Sequence, residues 1–188
     1  MKLLKLMIVL GVFMSSVQAK EMAGVNFDES ITLSGVDGSL QLNGLGIRHK
    51  FFFKIYIAAL YTDQKSHKAD EVIANKGAKR VVMHFVYDEV SKEKLTGAWI
   101  EGFDDNLSAE VFSELKPRIE KFNSMFETLK EGDVVLLDYL PGKGTQVTIK
   151  GQLKGIIDGN DFNQALLKIW LGDEPVTEDL KEALLDQD

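Results

Sequence analysis

The sequence predicts an α+β fold, an antiparallel sheet covered on one face by helices. Three observations carry this. Segments rich in alternating or β-branched residues occupy the first part of the chain, before any helical periodicity begins. Two helical segments then follow one another, and a strand–turn–strand unit and two more helices close the sequence. Strands and helices therefore do not alternate, which argues against a doubly wound parallel sheet.

Taken in order, the chain opens with Lys2 and Lys5, an apolar run from Leu6 to Met14 and the small-residue ending Val17-Gln18-Ala19. This is the pattern of a secretory signal peptide over residues 1–19, with a single domain over 20–188. The apolar run is too short to span a membrane, and no Cys follows it to carry a lipid anchor. The expected product is an exported protein, periplasmic in a Gram-negative source. Loss of Lys2 and Lys5 takes the net charge from −7 to −9, a poor balance for binding nucleic acid. The absence of Cys removes disulfides, thiolate metal sites and a thiol nucleophile.

Short strands are expected at 31–33 and 40–42, joined by a turn containing Gly35, Asp37 and Gly38. The stretch Asn43–Tyr61 then reads as a turn signal, Asn43-Gly44 with Gly46, followed by one long strand. Alternation puts Phe51, Phe53, Ile55, Ile57 and Ala59 on one face, and Arg48, Lys50, Phe52, Lys54, Tyr56 and Ala58 on the other. The second face mixes cations with aromatics, which suits an anion with an apolar body. The competing reading is a half-buried strand whose basic heads reach solvent over their own stems.

A helical turn is expected near 69–75 and a strand at 80–86. Ser91 caps a helix over about 92–106, with Leu95, Ala98, Trp99 and Gly102 on one side. A second helix over about 108–128 carries Val111, Leu115, Ile119, Phe122 and Phe126, and Pro117 within it predicts a kink or two shorter helices. Strands at 134–139 and 145–150 flank the turn Pro141-Gly142-Lys143-Gly144, and 152–157 extends the sheet. Helices at 162–170 and after Thr177 complete the domain.

Several chemistries are weakly supported. Gly142-Lys143-Gly144-Thr145 lacks the spacing of a phosphate loop and joins strand to strand. His49, His67 and His84 are too scattered to show a metal site, and no nucleophile elbow is present. Trp99, Phe103 and Trp170 line either a pocket or the core.

The stretch Asn43-Gly44, Gly46, Arg48, Lys50, Phe52-Phe53-Lys54, Tyr56 and Leu60-Tyr61 resembles the chalcone isomerase-like family, in its exported bacterial branch. Trp99, Gly102 and Asn106 fit the same pattern, as do Tyr139-Leu140-Pro141-Gly142 and the closing segment from Phe162 to Leu185. The resemblance implies an open-faced β-sandwich, a large antiparallel sheet against a layer of helices, with the ligand cleft between them. Plant enzymes of the family isomerise chalcones to flavanones, and plastid relatives bind fatty acids. The enzymes' Arg before Gly-Leu is Asn43 here, and their Thr falls near Ile55 or Tyr56. Their Tyr falls on Val90 or Ser91 and their Asn on Gly97 or Ala98, while Lys94 matches their Lys. Loss of that Arg removes the fixed cation that would stabilise a developing enolate.

The resemblance therefore implies a binding module for a lipophilic carboxylate, a fatty acid above all, without cofactor or metal. Arg48 would hold the carboxylate, with Tyr56 or Tyr61 as hydrogen-bond partner; Lys94 is a further cation, and Phe52, Trp99 and Phe103 are apolar walls. The alternatives are an isomerase or intramolecular lyase using Arg48 and Lys94, and an interaction protein whose interior is filled by its own side chains.

Overall fold

The computed structural model describes residues 19–187. The expected signal peptide lies outside the described residues except for Ala19, which opens the first strand. A hairpin of β1 (Ala19–Met22) and β2 (Val25–Asp28) leads into β3 (Ser30–Ile31), β4 (Leu40–Lys50) and β5 (Phe53–Thr62). Helix α1 (Ala69–Ala74) precedes β6 (Lys79–Phe85), and the short β7 (Glu89–Val90) precedes α2 (Lys92–Asn106) and α3 (Ala109–Ser124). Then come β8 (Leu129–Lys130), β9 (Val134–Leu140), β10 (Gly144–Ile149), β11 (Gln152–Ile157), α4 (Asn160–Leu171) and α5 (Glu178–Leu184). Seven strands form one sheet in the order β11-β10-β9-β6-β5-β4-β3, every pair antiparallel. The α+β layering expected from the order of segments is the one observed.

The expected single strand over 43–61 is instead a hairpin. β4 and β5 pair from Gln41↔Thr62 to Lys50↔Phe53, and the chain reverses at Phe51-Phe52. Phe51 takes a φ of +55°, in the left-handed region where Gly or Asn normally serves. A continuous run of strand-forming residues hid the reversal. The turn expected at Asn43-Gly44 is likewise absent: both residues lie within β4, at a register shift.

Gly44 and Gly46 serve close approach there. A Cβ on Gly44 would stand 2.2 and 2.3 Å from the carbonyl oxygens of Ala183 and Leu184, and one on Gly46 would stand 2.8 Å from Leu180 Cδ1. The missing side chains let α5 lie on the backbone of β4. Asn43 bolts the contact. Its Nδ2 donates to Leu184 O at 2.8 Å and Ser66 O at 3.0 Å, while its Oδ1 accepts from Ser66 N at 2.9 Å.

Alternation along β5 divides the interior. Tyr56, Ala58 and Leu60 face the helices, where they join Val81, Met83 and Phe85 of β6 and the aromatic stripes of α2, α3 and α4 in the main core. Ile57, Ala59 and Tyr61 face the other way, into a smaller cluster with Phe27 and Leu33. Ser91 caps α2 by accepting from Lys94 N, as expected. Gly102 allows Ile169 of α4 to pack close, since a Cβ there would meet its Cγ2 at 2.9 Å. Pro117 does not divide α3, which runs unbroken. Pro117 and Ser113, one turn before it, are exposed, so water can satisfy the carbonyl that the missing N–H leaves open. Among the described residues no helix is long and apolar enough to cross a membrane.

Candidate functional site

A cleft of about 460 Å³ opens between the helix-facing side of the sheet, α2 and the segment joining α4 to α5. Its sheet wall includes Arg48, Tyr56, Met83 and Phe85. The opposite wall carries Lys94, Trp99 and Gly102, and Pro175 and Val176 close one side. A volume of this order accommodates a small lipophilic molecule.

The polar centre of the sheet wall is the pair Arg48 and Tyr56. They are direct cross-strand partners in the β4–β5 register, which places their side chains together on the helix-facing side. The hydroxyl of buried Tyr56 accepts a hydrogen bond from Trp170 Nε1 at 3.0 Å. Burial raises its pKa to about 12, against smaller opposing effects of the Trp170 hydrogen bond and the Arg48 charge. The phenol is therefore neutral at physiological pH, and its own proton has no acceptor among the described residues. Arg48 is half-buried and has no carboxylate within ion-pair distance among the described residues. A neutral O–H donor beside an unpaired guanidinium, on an otherwise apolar wall, is suited to a carboxylate.

On the facing wall, Trp99 packs against Trp170, Phe122 and Phe126 with ring centroids 5.4–5.5 Å apart. Its indole Nε1 is buried without a partner. Lys94 is exposed in the first turn of α2. Carboxylates also border the cleft: Glu101 and Asp105 on α2, Glu174 beyond α4, and Glu89, which lies 3.6 Å from Lys130. An anionic head avoids the α2 carboxylates and finds its complement on the strand wall.

Four of the seven expected site residues, Arg48, Tyr56, Lys94 and Trp99, line this cleft, and three do not. Phe52 sits at the tip of the β4–β5 hairpin, 99% exposed, because the turn falls there. Tyr61 has the opposite parity to Tyr56 and faces the smaller cluster, where its hydroxyl donates to Asp28 O at 2.9 Å. Phe103 is fully buried behind Trp99, packed on Phe122 and Phe162. Met83 and Phe85 were missed as wall residues. The alternation of β6 would have put them on one face, but not on which one. Trp170 was foreseen as a candidate wall or core residue, and it acts here by holding the Tyr56 hydroxyl.

Comparison with known proteins agrees with this architecture. The chalcone isomerase-like family model matches residues 19–186. The chain belongs to the chalcone isomerase-like family. No curated protein matches the chain. Among solved structures, the Arabidopsis thaliana fatty-acid binding protein superposes with a TM-score of 0.68 at 18% identity, covering 90% of this chain and 96% of that one. At that identity the likeness shows the shared fold, a curled antiparallel sheet with helices. The resemblance sets Asn43 at the position of the enzymes' Arg. That side chain is only 3% exposed, and its hydrogen bonds run to Ser66 and the end of α5.

Proposed function

We propose that this chain is an exported, non-enzymatic member of the chalcone isomerase-like family, of its bacterial branch, that binds a fatty acid or similar lipophilic carboxylate. The carrying observation is the Arg48–Tyr56 pair on the cleft wall, with the Tyr56 proton unspent and Arg48 unpaired among the described residues. Arg48 takes the carboxylate, Tyr56 donates a second hydrogen bond, and the chain of the ligand runs against Trp99, Phe85 and Val176. The structural relative's fatty-acid binding supports the same ligand class. The structural use of Asn43 supports binding over isomerisation, because the residue that the resemblance sets at the enzymes' Arg is uncharged and spent on holding α5. The basic, apolar and small-residue pattern of residues 1–19 supports export.

The test is native mass spectrometry of gently purified protein, followed by denaturing extraction. A fatty acid is expected in the wild type and absent from Arg48→Ala. An empty wild type that also fails to take up added fatty acid would refute the reading. Turnover of a chalcone or other enone, lost in Arg48 and Lys94 variants, would replace it with the isomerase.

A further inference from the structure

The tip of the β4–β5 hairpin is a surface of unusual composition. Residues His49, Lys50, Phe51, Phe52, Phe53 and Lys54 are consecutive and all exposed. The three phenylalanines are 85%, 99% and 55% exposed. The other exposed large apolar residues described, Ile100, Val111 and Leu153, are isolated from one another in sequence. Phe53 has a partial contact, edge-on to Tyr87 at 5.5 Å, whereas Phe52 is almost wholly in solvent. The turn also holds Phe51 at φ +55°, a conformation costly for a bulky residue where glycine or asparagine would be relaxed. Folding does not require aromatic rings at this turn.

Charge identifies what meets them. The protein as a whole is acidic, at −7. The tip segment from Arg48 to Lys54 is instead basic, with Arg48, Lys50 and Lys54 and no acidic residue. None of the three cations has an ion-pair partner among the described residues. Exposed aromatic side chains flanked by Lys50 and Lys54 match the boundary of an anionic bilayer, where rings enter below the headgroups and cations meet the phosphates. The tip also forms part of the cleft's lip, since Lys50, Phe51 and Phe53 line it.

We propose that this hairpin tip docks the protein on an anionic phospholipid surface, with Phe51 and Phe52 inserted at the interface and the cleft mouth held against the membrane. The docking surface stands on the tip alone, whatever the cleft holds, and the two are scored by separate measurements.

The experiment is co-sedimentation of the purified protein with phosphatidylcholine vesicles, with and without phosphatidylglycerol. Wild type is expected to sediment with the anionic vesicles, less so as salt rises. Phe52→Ser and Lys54→Glu, neither of which touches the cleft, are expected to weaken partitioning about tenfold each. Both variants are expected to retain fatty-acid uptake and the wild-type melting temperature. A Phe52→Trp variant adds a direct readout, because Trp99 and Trp170 are buried at 3% and 1% exposure. The emission of the new indole is expected to shift to the blue and to be quenched by brominated lipid only when anionic vesicles are present. Wild type left in the supernatant with both vesicle types, or Phe52→Ser binding as wild type does, would overturn the proposal. So would self-association of the wild type that Phe52→Ser abolishes without any vesicle binding, which would assign the tip to a second copy of the chain.

Discussion

Replacing Tyr56 by Phe removes one oxygen that has two separate uses. In the unliganded protein that oxygen accepts from Trp170 Nε1 at 3.0 Å, inside the main core. Its loss leaves a buried indole N–H without a partner, at a cost of about 1–3 kcal/mol. For a domain of this length that lowers Tm by roughly 2–12 °C. In the proposed complex the same hydroxyl donates to the carboxylate. Its loss then weakens binding by about fivefold to tenfold, the equivalent of about 1–1.4 kcal/mol for one hydrogen bond. Arg48→Ala separates the two uses. Arg48 has no ion pair among the described residues, so stability is expected to stay within about 0.5 kcal/mol. Removing the charge-assisted contact weakens binding by at least about tenfold. The assays are thermal denaturation without ligand and displacement of a fluorescent fatty acid at equilibrium. The reasoning fails if Tyr56→Phe binds as tightly as wild type, or if Arg48→Ala loses as much stability as affinity.

Further outcomes follow from the packing. Gly44→Ala puts a Cβ within 2.4 Å of backbone atoms of α5, which cannot step aside as a side-chain end can. A loss of about 3 kcal/mol or more is expected in urea denaturation, and a variant as stable as wild type would refute the contact. Lys79, 1% exposed, donates to the carbonyls of Asn75 and Gly77 beyond α1 and lies 5.0 Å from the Tyr139 ring centroid. Burial lowers its pKa from 10.5 to about 8, so between those values the unfolded chain binds more protons and stability rises with pH. The gain approaches about 3 kcal/mol at most, and a Lys79→Met variant is expected to lose that slope between pH 8 and 10. Above pH 10 the raised pKa values of Tyr56 and Tyr61, both about 12, reverse the trend. Pro117→Ala restores a backbone N–H in the middle of α3 at an exposed position, and a gain of about 1 kcal/mol is expected by chemical denaturation.

The layering of the fold was legible because helical and strand periodicities occupy separate blocks of sequence. The site was legible only in part, and the reason lies at Phe51-Phe52. Three consecutive phenylalanines carry no turn signal, so residues 43–61 read as one strand. On that reading Arg48 and Tyr56 share a face but stand about 26 Å apart, too far for one carboxylate. The hairpin makes them neighbours at about 5 Å. Parity thus named two residues that the fold does bring together, but through the wrong geometry. The same turn carried Phe52 out of the site. Parity also separates Tyr61 from Tyr56, and the structure follows it. Phe103 was beyond reach, because the stripe of α2 shows which side is buried but not whether a cleft or another helix lies opposite. Lys79 was invisible for a related reason: the pairing that buries it, to carbonyls beyond α1, exists only after the chain has folded back.

The bolt between Asn43 and α5 spans 141 residues of sequence. Contacts of that separation form slowly, because nearly the whole chain must be ordered before they gain anything. Strand β4 is made early in synthesis, yet its two bare glycines and one of the Asn43 hydrogen bonds wait for α5. A chain halted before Thr177 holds the central hairpin and the Asn43–Ser66 hydrogen bonds, but leaves a backbone groove uncovered and the bond to Leu184 unmade. The segment 177–187 therefore covers the sheet late: until α5 arrives, the backbone at Gly44 and Gly46 stays open.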